Sequence, residues 1–366
     1  MPTKLRVGIL FGGKSAEHEV SLQSARNVVE AIDKTKYDIV LIGIDKQGKW
    51  LLNNSSKFLH DRSHPKRIQL QNQDSAPVAL VPQSGGALTN FTTHQAVPAL
   101  DVVFPILHGP FGEDGTIQGL LKLANVPFVG AGVLGAAIGM DKDIMKRLLR
   151  DANIPVAPFM ACRERDANLD FASVTKALGL PLFIKPANLG SSVGVSKVLD
   201  ESQFQRAVSE AFLYDRKILI ESFIEGREIE CSVLGNDEPI ASIPGEVIAK
   251  HDFYSYEAKY IDEHGAVLEI PADIPIEVTK TIQSLAINVF TTLACEGLAR
   301  VDFFLKPGGD VVVNEINTLP GFTSISMYPR LWEASGISYT ELIDRLIQLA
   351  VERHEREQRL KTSYDS

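Results

Sequence analysis

Residues 299–322 read ARVDFFLKPGGDVVVNEINTLPGF. Two apolar, β-rich runs, 301–305 and 311–316, flank a Pro-Gly-Gly-Asp turn signal. A two-residue loop at Gly308 and Gly309 pairs Asp302 with Glu315 and Arg300 with Asn317. Side chains alternate along a strand, so all four share one face of the hairpin. Polar groups in an apolar strand are costly unless they are paired or bind something. Two opposed carboxylates repel, and a divalent cation between them removes the conflict. Two carboxylates and an amide oxygen form a hard, all-oxygen set of the kind Mg²⁺ takes, with room for phosphate oxygens. The alternative is a surface ion-pair cluster in which Arg300 neutralises the acids.

The chain has 366 residues, 45% hydrophobic and 23% charged, which calls for two or three soluble domains. Its net charge of −9, from 37 basic and 46 acidic residues, disfavours nucleic acid and membrane surfaces as partners. No apolar run approaches the roughly 20 residues that span a bilayer. The start, MPTKLRVGILFGG, enters a strand and a Gly turn without the core or cleavage site of a signal peptide. Cys162, Cys231 and Cys295 are odd in number and widely spaced, so they are read as core thiols in a reducing cytoplasm.

The first 130 residues alternate strand and helix: strands at 5–11, 37–44 and 100–107, with Ser15 as the expected cap of the first helix. This βαβ order predicts a parallel sheet with helices on its faces. Residues 53–98, rich in Ser, Asn, Gln and Pro, read as an irregular, peripheral insertion. A second unit, 131–221, holds the helix MDKDIMKRLLRDAN, the strand–loop–strand LPLFIKPANLGSSVGVSKV and the strand KILIESFIEG, which leaves it. The third, 222–366, holds EIECSVLG, a helix at 275–294, the hairpin and a closing helix at 339–353, with a frayed charged end.

Chemistry-bearing residues recur in loops. Lys185 ends a strand and is followed by Gly190, Ser191, Ser192 and Gly194, a credible phosphate cover that is neither a Walker A loop nor a dinucleotide fingerprint. A plain hairpin with a permissive loop explains it equally well. Lys142 could reach phosphate from the preceding helix. His108 and Glu17 lie at strand ends, where open α/β sheets bind ligands. The aromatic and charged mixture YSYEAKYIDEHG, 254–265, suits a loop that closes over a site.

The segments GGKSAEHEVSL, LHGPFGEDGTIQG, MDKDIMKRLL, KPANLGSSVGVSKV, YSYEAKY, RVDFF and NEINTLPGFTSISMYP together resemble the D-alanine–D-alanine ligases of the ATP-grasp superfamily. They run in family order over nearly the whole chain except 53–98 and the tail. The resemblance implies an α/β ATP-grasp fold of three domains, with nucleotide between the central and C-terminal ones. It implies ligation of two D-alanines with ATP, through a D-alanyl phosphate, for peptidoglycan. In this reading Glu17 holds the first D-alanine's ammonium with His108 nearby, and Ser191, Glu17 and Tyr260 orient substrate. Lys142 and Lys185 bind phosphates, Glu221, Ser222, Phe223 and Ile224 frame the adenine, and Glu228 takes the ribose. Lys259 meets the γ-phosphate, Arg300 and the Gly321 backbone stabilise an oxyanion, and Ser326 and Met327 meet the second D-alanine. Asp302, Glu315 and Asn317 hold two Mg²⁺, for which Mn²⁺ can substitute. A cytoplasmic homodimer is also implied. The nearest rival is a D-alanine–D-lactate ligase, where a histidine replaces the second tyrosine of YEAKY; another ATP-grasp carboxylate–amine ligase is more distant.

Overall fold

The computed structural model describes residues 4–53, 59–60, 68–70, 75–166, 169–249, 266–361 and 363–364. Its first sheet is built outward from Leu5–Gly12, whose residues 7–11 are all buried. A strand buried on both faces must be covered by helices, and its neighbours Tyr37–Ile44 and Val102–Ile106 both run parallel to it. Beyond Tyr37–Ile44 the sheet turns antiparallel through Trp50–Asn53, Ala76–Leu80, Leu88–Asn90 and Ala96–Val97. The segment read as irregular therefore extends the sheet, which is mixed and seven-stranded. Its strands are only two to five residues long, and the most apolar, APVAL, carries Pro77, so composition hides them.

The second sheet is antiparallel, in the order Phe159–Arg163, Lys217–Ser222, Leu182–Pro186, Ser196–Val198. The helices Phe171–Leu178 and Glu201–Ala211 cover it through Val174, Phe204 and Ala207. Asp170 and Asp200 begin those helices by accepting the Ser173 and Gln203 N–H groups. The third sheet places Arg227–Gly235 beside Gly297–Leu305, which pairs with Val311–Asn317. The helix Ile276–Thr292 packs on it through Ile282, Ala286 and Phe290.

One apolar core joins the first sheet to the C-terminal helices. Val7, Phe104 and Ile106 cluster with Phe322, Trp332, Leu342 and Leu346. The closing helix runs from Tyr339 to Gln358, further than its expected end at 353. Arg353 explains the extension. It is 4% exposed, donates to the carbonyls of Phe128 and Gly130, and lies 4.4 Å from the Phe128 ring centre. Arg356 binds Glu296 and Asp237. The charges read as a frayed end thus tie the last helix back to the chain.

The hairpin departs from expectation twice, and the departures cancel. The Lys306 N–H donates to the Asp310 carbonyl at 2.9 Å, so the loop has three residues, with Gly309 at φ +89°. Leu305 then pairs with Val311 and Phe303 with Val313. A bulge at Asn314 shifts the register by one and restores Asp302 opposite Glu315 and Arg300 opposite Asn317. The bulge is invisible to a rule that counts outward from the turn.

Candidate functional site

The hairpin face carries charges arranged by strand register. Arg300 grips Asp302 with two bonds, Nε to Oδ1 at 2.7 Å and Nη2 to Oδ2 at 2.8 Å. Glu230, opposite Asp302 on the adjoining strand, takes Arg300 Nε at 2.9 Å. Glu315 lies 3.3 Å from Lys142 Nζ, and Asn317 Oδ1 accepts the Leu319 N–H. The ion pairs of the second reading are present, and the acids keep lone pairs that can still take a cation. Asp302, Glu315 and Asn317 fit Mg²⁺ by donor chemistry: hard oxygens on one face, with carboxylates only 14% and 23% exposed. Among the described residues, no three His, Cys, Asp or Glu side chains form a metal-binding group.

A pocket opens over this face, with Glu17, Lys142, Ser191, Arg300, Glu315 and Ser326 on its wall. Glu17 is buried where the helix His18–Ala31 begins. Ser15 is not that helix's cap: its hydroxyl accepts the Glu17 N–H and donates to the His108 carbonyl, linking two strand-end loops. Ser191 donates its hydroxyl to Glu17 across 174 residues of chain. Ser191 and Ser192 both have left-handed backbones, φ +53° and +59°, which side chains other than Gly rarely adopt. That geometry turns the Gly-rich loop over the pocket, where Lys142 donates to the Leu189 carbonyl at 2.8 Å.

Glu113 is a wall residue absent from the predicted set. It accepts the Gly109 and Leu319 N–H groups at 2.6 and 3.2 Å, joining the first and third units. Burial, with the Glu17 charge beside it, pushes its carboxyl up to about 8. His108 is buried behind this wall, with Nδ1 facing the Leu319 carbonyl and Nε2 facing Ser24. Burial pulls its pKa down. The loop 318–326 closes the far side. A side chain at Gly321 would meet Ser326 Oγ at 2.8 Å, while Ser326 itself accepts the Thr323 N–H. Met327 starts the helix Met327–Ala334 and lines the same pocket.

The second sheet supplies another cluster. Lys185 Nζ lies 2.8 Å from Glu221 Oε2, and Lys146 Nζ lies 3.3 Å from Glu221 Oε1. Burial raises the Glu221 pKa, but Lys146 and Lys185 outweigh it and hold the carboxyl low. Next along the chain, Ser222 donates to the Leu178 carbonyl and the Phe223 N–H to the Pro181 carbonyl. The Phe223 ring is 38% exposed beside Phe183, with Lys197 Nζ 4.8 Å from its centre. Ile224 and Glu228 are half-buried along the same exit.

Residues 6–131 match the family described as D-ala D-ala ligase N-terminus, and 148–348 its C-terminus. The chain belongs to the D-alanine–D-alanine ligase family. The D-alanine–D-alanine ligase of Shouchella clausii is 59% identical over 362 residues, 98% of each chain. The solved D-alanine-D-alanine ligase of Coxiella burnetii superposes with TM-score 0.85 at 41% identity, covering 97% of this chain and 96% of that one. The VanG D-Ala:D-Ser ligase of Enterococcus faecalis gives 0.83 at 35%, covering 95% and 100%. The fold is therefore ATP-grasp, as the resemblance implied.

The structure gathers Glu17, Lys142, Ser191, Arg300, Glu315, Asn317, Gly321, Ser326 and Met327 around one pocket. Lys185 and Glu221 form the separate buried cluster, and His108 lies behind the wall. Lys259 and Tyr260, with the whole expected closing loop at 254–265, lie outside the described residues. Sequence reasoning missed Glu113, Glu230 and Lys146. The first stood inside a quoted motif, FGEDG, and the second could be found only from strand pairing.

Proposed function

We propose that this pocket joins two D-alanines into D-alanyl-D-alanine for peptidoglycan, with ATP converted to ADP and phosphate. The observation that carries the reading is the Ser191–Glu17 contact, which fixes a carboxyl side chain on the wall of a pocket that Arg300 and Lys142 also line. Glu17 receives the ammonium of the first D-alanine and leaves its carboxylate directed at the cationic side. That carboxylate attacks the γ-phosphate of ATP, and ADP leaves. The amine of the second D-alanine, freed of one proton, then attacks the acyl phosphate, and the tetrahedral adduct expels phosphate.

Each step asks for positioning and charge neutralisation, not for a nucleophilic side chain. Ser191 is accordingly an orienting group. Lys142, Lys185 and Lys259 hold phosphate oxygens, while the 221–224 exit and Glu228 take adenine and ribose. Arg300 and the Gly321 N–H face the developing oxyanion. Ser326 and Met327 meet the second D-alanine, and Tyr260 belongs to the Glu17–Ser191 network. Asp302, Glu315 and Asn317 would hold two Mg²⁺, or Mn²⁺ in their place; bound there, the ions neutralise phosphate charge. His108, whose ring nitrogens face Ser24 and Leu319, acts by holding the loop beneath Glu17. A homodimer in the cytoplasm completes the reading. Among the described residues, no helix is long and apolar enough to cross a membrane.

Phosphate release and product analysis with ATP and D-alanine, L-alanine, or D-alanine plus D-lactate test this function. The expected result is D-alanine-dependent release with D-alanyl-D-alanine as product. A main product with D-lactate, or no stimulation by D-alanine, would contradict it.

A further inference from the structure

Lys146 is 0% exposed on the helix Lys142–Asp151. A wholly buried ammonium is expensive unless something compensates it. It stands four residues after Lys142, so the two side chains share one helix face. Lys142 turns to Leu189 and Glu315; Glu315 attracts Lys146 as well, but Glu221 is the acid at ion-pair distance from Lys146. Glu221, however, is already engaged by Lys185 at the shorter distance, 2.8 Å against 3.3 Å. Lys217 is matched instead by Asp141 and Asp143.

The charge count has a consequence. Lys185 and Glu221 alone form a neutral pair, with the ammonium committed to the carboxylate. Adding Lys146 makes two cations share one anion. With both lysines protonated the cluster carries one positive charge, under 11% exposed at every member; burial pulls the Lys146 pKa down and Glu221 pulls against it. Such a charge in a poorly hydrated place is balanced best by an anionic ligand.

We propose that Lys146 is a positioning residue for nucleotide binding: by sharing Glu221 with Lys185, it leaves Lys185 with unneutralised charge for the phosphates of ATP. The inference rests on the reading of Lys185 as a phosphate ligand. It assigns Lys146 no contact with nucleotide. Its effect should therefore follow the phosphates, spare the adenosine moiety and depend on Glu221.

The test uses the full chain and inhibition constants of adenosine and of ADP against ATP. Their ratio isolates the phosphate contribution. Lys146→Met should lower that ratio roughly tenfold, the scale of one lost interaction with a charged group, and raise the KM for ATP more than it lowers kcat. Adding Glu221→Gln to Lys146→Met removes the competing anion and should return the ratio to within about threefold of wild type. A merely structural lysine predicts no such rescue. An unchanged ratio in Lys146→Met, or an equal loss in the double variant, overturns the proposal. If Lys146→Met does not fold, Lys146→Gln replaces it with the same two expectations. Lys185→Met separates the two readings. If that variant leaves the ratio unmoved, the phosphate role of Lys185 has failed; if it lowers the ratio while Lys146→Met does not, only the present inference has.

Discussion

The hairpin face and the Lys146–Glu221–Lys185 cluster are built from the same residue types with opposite balance. On the face, one arginine serves two acids, Asp302 and Glu230. In the cluster, two lysines serve one acid. The first therefore has acid to spare and suits a cation, while the second has base to spare and suits an anion. Strand pairing sets the acidic surplus, because Glu230, Asp302 and Glu315 fall side by side in register. Helix spacing supplies the basic one, because Lys146 is delivered from outside the sheet. The two lie on different sheets and meet through the helix Lys142–Asp151, whose Lys142 pairs with Glu315 and whose Lys146 pairs with Glu221.

The comparison breaks most visibly at Glu315. Glu315→Gln removes acid from the face with little change in volume. Dipeptide synthesis should fall by at least about 10²–10³-fold, the range for losing one charge-stabilising group, while the melting temperature holds. Mg²⁺-dependent turnover near wild type in the folded variant would remove the metal role.

Arg353 sharpens the contrast from outside the site. It is also a buried charge, yet it donates to the carbonyls of Phe128 and Gly130 and lies on the Phe128 ring, with Glu296 3.8 Å away. Arg353→Met should cost about 2–4 kcal/mol in urea unfolding, because buried acceptors lose their donor. Turnover of the folded fraction at low temperature should persist. Selective loss of activity with stability intact would make Arg353 part of the site.

The hairpin's polar face was legible in the sequence because apolar strands rarely carry four such groups without use. Its two polar pairs came out right and the pairs nearer the turn did not, because the loop is one residue longer than expected and Asn314 bulges. Glu230 was not legible: it stands about 70 residues before Asp302, and nothing local announces their pairing. Lys146 looked like one more charge on an amphipathic helix, and only its burial sets it apart. The short strands at 76–97 lacked the apolar alternation that marks a sheet. Family resemblance supplied roles for motif residues but not the partners that hold them.

Tyr260, outside the described residues, tests which nucleophile the proposed reaction admits. A histidine there can carry positive charge near neutral pH, which repels an ammonium and tolerates a hydroxyl. Tyr260→His should shift product toward D-alanyl-D-lactate by about tenfold at the acidic end of roughly pH 6 to 9, and less at the alkaline end. A product ratio equal to wild type throughout would separate position 260 from nucleophile choice.

Glu113 gives the smallest expected effect and a definite sign. Its folded pKa, about 8, lies above the ordinary Glu value of 4.5, so the folded state holds the extra proton between those values. Its contribution to stability is full below about pH 4.5 and is lost as pH rises toward 8 and beyond. In chelator, without substrates, the melting temperature of wild type minus that of Glu113→Gln should fall as pH rises from about 5 to 9. A difference that stays level or grows would show that Glu113 is ionised in the fold.

The division of labour between the two clusters is tested most directly by binding Mn²⁺ and ADP separately to Glu315→Gln and Lys185→Met. Mn²⁺ is followed by paramagnetic resonance and ADP by calorimetry without metal. Glu315→Gln should lose Mn²⁺ and keep ADP, and Lys185→Met should lose ADP and keep Mn²⁺. Wild-type Mn²⁺ binding by Glu315→Gln, or undiminished ADP binding by Lys185→Met, would contradict the account.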